Sequence, residues 1–203
     1  MLFQQVVDRR RMVRSYTNQA VSRDSVDRML RNAVRAPNAG FTQGWAFLVL
    51  DDAESVARFW ASTTPPDRSS SPSSWLVGMQ TAPVVIVPMS SKNAYVRRYA
   101  EADKGWSAEE EPRWGVPYWH VDAGMAALHI LQTAVDEGLG ACFFGIPIEQ
   151  LSTFRETFNV PDNYQPVGAI TIGHAAPDAT PGGSPSRRAR RPLDDIVHRG
   201  RWR

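Results

Sequence analysis

Cysteine is nearly absent: Cys142 is the single one in 203 residues. A lone thiol closes no internal disulfide, so a disulfide-stapled scaffold is excluded and a reducing, cytoplasmic setting is expected. Histidine is scarce as well. His120, His129, His174 and His198 form no HExxH or similar spacing, so no metal site is expected. An excess of one charge is missing: 23 Lys and Arg against 21 Asp and Glu leave a formal charge of +2, which offers no overall attraction for nucleic acid. No apolar run reaches the roughly 18 residues that a membrane helix needs. There is no repeat, no GxGxxG or GxxxxGK[ST] phosphate loop, no GxSxG elbow and no carboxylate pair of catalytic character. The arginine-bearing N-terminus runs straight into amphipathic pattern and is read as mature protein, not as a transit peptide.

What the chain does have is both helical and extended periodicity. Residues 2–12 suit a short helix, with Leu2, Phe3, Val6 and Val7 as its apolar pairs. Ser22 is placed to cap a second helix, whose Val26, Met29, Leu30, Ala33 and Val34 follow the i, i+3, i+4, i+7 rule, and Pro37 should end it. Residues 45–50 (WAFLVL) and 83–89 (PVVIVPM) read as buried strands, with Pro88 suggesting an edge or an end in the second. Residues 65–74, rich in Pro and Ser, read as a surface loop, and residues 92–119 as a helix plus a loop. A long helix over 121–135 carries Val121, Met125, Leu128, Leu131 and Val135 on one face and alanines elsewhere, and Gly138 and Gly140 should stop it. A short strand over 141–144, a helix marked by Ile148, Leu151, Phe154 and Phe158, and a strand over 167–172 follow. The Pro-, Gly- and Arg-rich tail from Ala175 is not expected to hold a core of its own. Helices and strands occur without regular βαβ alternation, which predicts an α+β fold.

Two arginine groups stand near opposite ends: Arg9, Arg10, Arg11 and Arg14, and then Arg187, Arg188, Arg190 and Arg191. A guanidinium is a permanent cation with a planar fork of donors suited to phosphate oxygens; two solvated basic stretches are the plainer reading. The surrounding sequence adds to this. Residues 10–16 (RRMVRSY) resemble the RRSxRxF/Y opening of the nitroreductase family, and residues 36–45 (APNAGFTQGW) resemble its APSxxNxQPW. Residues 122–125 (DAGM) with 138–145 (GLGACFFG) resemble DAGxAxxN…GLGxCWxG, and residues 188–193 (RARRPL) match its basic-x-basic-x-Pro-Leu tail. The four matches fall in order across nearly the whole chain.

The resemblance implies a nitroreductase-like α+β fold: a central, mostly antiparallel sheet flanked by helices, with a C-terminal tail extending over the partner subunit of a homodimer. It implies a single domain over 1–203, with loop or lid elaborations at 62–74 and 92–119 and a C-terminal extension at 175–203. It implies FMN at the subunit interface, with Arg10 and Arg11, and Arg188 and Arg190 from the tail, on the phosphate. Arg14 would lie near the N1/O2 edge of the ring, where a fixed cation stabilises the negative charge of reduction. Pro37, Asn38 and Ala39 would touch the ring from the partner, and Phe143, Phe144 and Gly145 would face N5. Met12 stands where the family has Ser, Phe41 where it often has Asn, Asn38 for Ser, and Gly44 for Pro. These departures sit at the flavin edge.

The function implied is an FMN-dependent oxidoreductase that takes reducing equivalents from NAD(P)H and passes them to a nitroaromatic, quinone or related small acceptor. The flavin would carry the chemistry, with no catalytic side chain. The other readings are a non-enzymatic flavin-sequestering protein, or a dehalogenase, flavin-cleaving or deazaflavin-using branch of the same family. Tyr95, Tyr99, Trp106, Trp114, Tyr118 and Trp119 either wall a substrate site or pack as ordinary structure, and Arg98 and Tyr99 with Asp103 and Lys104 suggest a lid. Cys142 and His129 read as packed residues.

Overall fold

A computed structural model of the chain describes residues 1–107, 114–177, 179 and 187–202. In chain order its elements are α1 (Phe3–Arg9), α2 (Arg23–Ala33), β1 (Trp45–Leu50), α3 (Ala53–Thr63), α4 (Pro66–Ser70), α5 (Ser74–Met79) and β2 (Val84–Ser90). Then come α6 (Lys92–Tyr99), α7 (Tyr118–Asp136), β3 (Gly140–Phe144), α8 (Leu151–Thr157), β4 (Gln165–Pro166) and β5 (Ala169–Gly173). The strands form one antiparallel sheet in the order β1-β2-β5-β3, with β4 paired to the end of β2. The α+β expectation holds.

Successive side chains on a strand point to opposite faces, and here both faces are covered. Val84 and Ile86 of β2 join Ile170 and Ile172 of β5 against α2 and α7, through Val26, Met29, Ala126 and Ile130. Val85, Val87 and Met89 face the other way, with Cys142, against Phe59, Trp60, Leu76 and Phe154 of α3, α5 and α8. All seven residues of β2 are buried, which is why its sequence is a continuous apolar run and not an alternation.

Several expectations are corrected. Pro88 sits in an inner strand, not at an edge. It falls in the gap between the β2–β5 pairing at 84–86 and the β2–β4 pairing at 89–90, where no ladder partner asks for an N–H. Ser22 does cap α2, accepting from the Ser25 N–H at 3.1 Å. The helix nevertheless ends at Ala33, ahead of Pro37, and Val34 points outward. Residues 65–74 are not a bare loop: Pro66 occupies the first turn of α4, where its fixed φ and missing N–H cost nothing. In α7 the inward face is the alanine face, with Ala123, Ala126, Ala127 and Ala134 packed beside Ile130 and Leu131. Val121, Met125 and Leu128, on the face of large apolar residues, are exposed. Gly138, at φ +75°, turns the chain out of α7; Gly140 does not, because it already lies inside β3, against Val13. Among the described residues no helix is long and apolar enough to cross a membrane.

Candidate functional site

Residues 10–16 leave α1 in extended conformation and run along the β3 edge. The Val13 N–H donates to the Ala141 carbonyl at 3.0 Å, and Met12 bridges Ala141 in parallel sense. The Met12 Sδ, in the place expected to weaken a contact, accepts the Phe143 N–H at 3.5 Å. The chain then crosses to the end of β5, where the Thr17 N–H donates to the His174 carbonyl at 2.9 Å and Tyr16 bridges Ala175. The Tyr16 hydroxyl anchors this crossing. It donates to the Val13 carbonyl at 2.6 Å and lies 2.8 Å from the Thr171 Oγ. Burial pushes its pKa well above the usual tyrosine value, against the opposing pull of the Thr171 hydrogen bond and the Arg14 charge. Burial likewise raises the Cys142 thiol, so this residue is a neutral core group.

This geometry brings the Met12 side chain onto the Phe143 backbone across 131 positions of sequence, and puts the Arg14 charge near Cys142 and Tyr16. Arg10 and Arg14 are half-buried and Arg11 is exposed. The Arg14 guanidinium donates to the Met12 carbonyl at 3.3 Å. Phe143 and Phe144 are half-buried at the end of β3, and a Cβ built on exposed Gly145 would meet nothing within 4 Å. Fixed cations, aromatic faces and open space over backbone therefore adjoin along one sheet edge.

An element not anticipated from sequence completes this edge. Helix α5 lies between the two motifs: a Cβ at Gly78 would collide with the Arg14 carbonyl, and the Trp75 ring meets that of Phe144 edge-on at 5.7 Å. A glycine inside the apolar run WLVGM was the available signal, since a helix gives up stability to glycine unless something approaches it closely.

The other predicted residues are elsewhere. Residues 37–41 lie on the loop leading into β1, at the opposite edge of the sheet from β3. Asn38 Oδ1 accepts the Gln43 N–H at 2.8 Å, and the Ala39 N–H donates to Asp122 Oδ2 at 2.8 Å. Asp122 is 3% exposed and accepts on the same oxygen from the Tyr95 hydroxyl at 2.6 Å. From α6, the Arg98 Nε–H donates to the Gly40 carbonyl at 2.9 Å and the Tyr99 ring lies against Gly40. Phe41 projects into solvent, 75% exposed. Arg188 and Arg190 are exposed on the tail, and nothing among the described residues pairs with either.

In the segment expected as a lid, several side chains pack on one another. Arg98 forms a two-pronged pair with Asp103 at 2.6 and 2.7 Å, and Lys104 Nζ stands 5.5 Å from the Tyr99 ring centre. Tyr99, Trp106 and Trp114 pack together with centroids 4.8 to 5.1 Å apart; residues 108–113 of this stretch lie outside the described residues. His129 is half-buried, with Nδ1 3.1 Å from the Asn32 carbonyl. Among the described residues no three His, Cys, Asp or Glu side chains gather to hold a metal ion.

Comparison with known proteins places this arrangement. The model of the nitroreductase family matches residues 7–174. An NADPH-dependent oxidoreductase of Staphylococcus aureus is 24% identical over 199 residues, spanning 97% of this chain and 72% of its own. An Archaeoglobus fulgidus protein assigned as an NADH dehydrogenase or NAD(P)H nitroreductase is 24% identical over 167 residues, 81% of this chain and 80% of its own. Among solved structures, a nitroreductase-like protein of Desulfovibrio desulfuricans in complex with FMN superposes with a TM-score of 0.72 at 23% identity, covering 100% of this chain and 99% of that one.

Proposed function

The chain belongs to the nitroreductase family, and from that premise we propose that it is a homodimeric, FMN-dependent oxidoreductase that draws reducing equivalents from NAD(P)H and delivers them to a nitroaromatic, quinone or related small acceptor. The observation that carries this reading is the alignment of residues 10–14 along β3, where the Met12 Sδ accepts the Phe143 N–H and the Arg14 charge lies near Cys142. The donor set fits the cofactor: fixed cations for its phosphate and ring edge, aromatic faces, and open space over Gly145.

FMN, when bound, supplies the hydride carrier that no side chain here can provide. Arg10 and Arg11 hold the phosphate with charge-assisted hydrogen bonds, joined by Arg188 and Arg190 of a tail. Arg14 would keep a positive charge at the ring edge, where negative charge develops on reduction. The backbone of Phe143, Phe144 and Gly145 would present the wall facing the ring, with Met12 at the flavin edge. Pro37, Asn38, Ala39 and Phe41 come from the partner's loop, because within one chain that loop is fastened to the opposite sheet edge.

The dimer is supported by apolar surface left uncovered in the single chain. Tyr118, Val121, Met125 and Leu128 make an outward stripe on α7, each 38 to 43% exposed. On the tail, Leu193 and Trp202 are 72 and 86% exposed. A second copy covers both and brings the arginines of the tail to the shared site; interfaces of this apolar, obligate kind typically exceed about 2,000 Å². The chain is otherwise read as one domain over 1–203 and as a cytoplasmic protein.

The test is reconstitution with FMN followed by anaerobic NADPH and NADH. Stoichiometric flavin that bleaches, and recolours on adding a nitroaromatic or quinone, is expected. Bound flavin that never bleaches would favour sequestration, and failure to take up FMN would overturn the reading.

A further inference from the structure

Arg14 is a half-buried cation that no carboxylate neutralises among the described residues. Its guanidinium turns back to the Met12 carbonyl at 3.3 Å and makes no other hydrogen bond there. A charge drawn out of water is ordinarily paired, so an unpaired one has to be held in place by its surroundings. The main-chain pairs of this segment fall on either side of it. The Val13 N–H donates to Ala141, the Ser15 carbonyl accepts from Ala176, and the Thr17 N–H donates to His174.

Two hydroxyl side chains fasten the stretch that contains Arg14. On the sheet side, the Tyr16 hydroxyl donates to the Val13 carbonyl at 2.6 Å and lies 2.8 Å from the Thr171 Oγ. On the side of α5, the Tyr16 N–H donates to the Thr81 Oγ at 2.9 Å, and that hydroxyl donates on to the Gly78 carbonyl at 2.7 Å. Gly78 leaves no room for a Cβ beside the Arg14 carbonyl, so α5 also seats this peptide by shape. The family pattern accepts Phe as well as Tyr at position 16, and Thr81 lies outside the four motif matches, so both hydroxyls are features of this chain.

We propose that Tyr16 and Thr81 are positioning residues for Arg14: by pinning the main chain on both sides of it, they hold its cation where the reduced flavin carries negative charge. A fixed cation favours the charged form only as far as its place is fixed beforehand. The two hydroxyls therefore set how much more tightly the chain binds reduced FMN than oxidised FMN, without touching the flavin. This rests on the flavin reading above and goes beyond it in naming what sets the redox balance of the bound cofactor.

The experiment measures the dissociation constants of oxidised FMN and of dithionite-reduced FMN for the full chain and its variants. Arg14→Met should lower the preference for the reduced form by about tenfold or more, as loss of one charge-assisted interaction does. For a two-electron couple, tenfold is about 30 mV of midpoint potential. Y16F and T81V should each lower the preference in the same direction by a smaller factor, and T81S, which keeps the hydroxyl, should restore it. Added to R14M, neither Y16F nor T81V should lower it further. A role in folding alone weakens both oxidation states alike and leaves the preference unchanged, which overturns the proposal. So does an effect of Y16F or T81V that persists undiminished beside R14M. Thr81 is exposed, so T81V decides the matter if Y16F fails to fold. The premise fails separately: an unchanged preference in R14M removes Arg14 from the ring edge and the proposal with it, and a native chain that binds no FMN overturns both.

Discussion

The two halves of the candidate site are fastened to the fold by different means. Residues 10–17 are tied to the sheet through main chain: the Val13 and Thr17 N–H groups donate to Ala141 and His174 carbonyls, and the Ala176 N–H donates to the Ser15 carbonyl. The loop at 36–44 is tied through side chains. Asp122 holds Ala39 and Tyr95 on one oxygen, and Arg98 holds the Gly40 carbonyl. The loop also keeps Phe41 and Gln43 at φ +52°, in the left-handed region, at a cost of about 1–2 kcal/mol each for residues with a Cβ. Main-chain pairing is indifferent to which side chain stands at Met12, so the departure from the family pattern there leaves the strand edge intact. The loop has one such tie, at its end, where the Ser91 N–H donates to the Gly44 carbonyl at 2.8 Å; the rest of its shape depends on Asp122, Asn38 and residues of α6.

The sharpest way to break this comparison is to ask whether the halves meet across two chains. Removing residues after Pro192 deletes the apolar end of the tail, and the expected outcome is complete: smaller particles and lost flavin. The intact chain should sediment as one species of twice the chain mass at low micromolar concentration. A flavin-bound monomer in either case would mean that loop and strand edge meet within one chain.

Next in size is the contrast between fastenings. Asp122→Ala removes two buried hydrogen bonds to a carboxylate and should cost about 3–6 kcal/mol, at about 1.5–3 kcal/mol each. Met12→Leu conserves volume and keeps the backbone pairing, so it should cost less than about 1.5 kcal/mol. Urea denaturation of both variants reads the difference, and equal losses would erase the distinction. Arg190→Ala should weaken FMN by about 1.5–3 kcal/mol, tenfold to a hundredfold, in a flavin fluorescence titration, while Arg201→Ala, beyond the motif, leaves it nearly unchanged. Equal effects would remove the tail from the phosphate.

The smallest effect is a pH dependence on the loop side. His120 lies 2.9 Å from the Ser90 Oγ, and burial lowers its pKa. Because the folded chain binds this proton less readily than the unfolded chain, the stability it contributes is whole above about pH 6.5 and declines as pH falls below that value toward the lowered folded pKa. The melting temperature should therefore drop between about pH 7.5 and about pH 5.5, and drop less in His120→Gln. Parallel curves would show that the imidazole is not coupled to folding.

The strand edge was the more legible half. Arg10, Arg11 and Arg14 stand out by composition, the run GLGACFFG by its resemblance to the family pattern, and the continuous apolar runs marked β1 and β2. Spacing misled where two faces of one helix are both apolar. In α7 the large side chains at 121, 125 and 128 follow a helical repeat, yet the alanines face the core, because close packing of α2 and α7 against the sheet admits small residues best. No local pattern tells which of two apolar faces of one helix meets the sheet. Helix α5 has six residues, too few for periodicity to rise above its neighbours. The Asp122–Tyr95–Ala39 network joins three segments that share no local signal.

Separation along the chain has one more consequence, for assembly and not for chemistry. Met12 reaches Phe143 over 131 positions, and Ala39 reaches Asp122 over 83. Closing loops of that length costs entropy before any contact repays it, so neither half of the site can form as a local fragment or early in folding. Competence to bind a ligand across them arises only when the whole sheet has closed. On the flavin reading proposed above, cofactor uptake requires finished molecules, so an unfolded fraction takes up none.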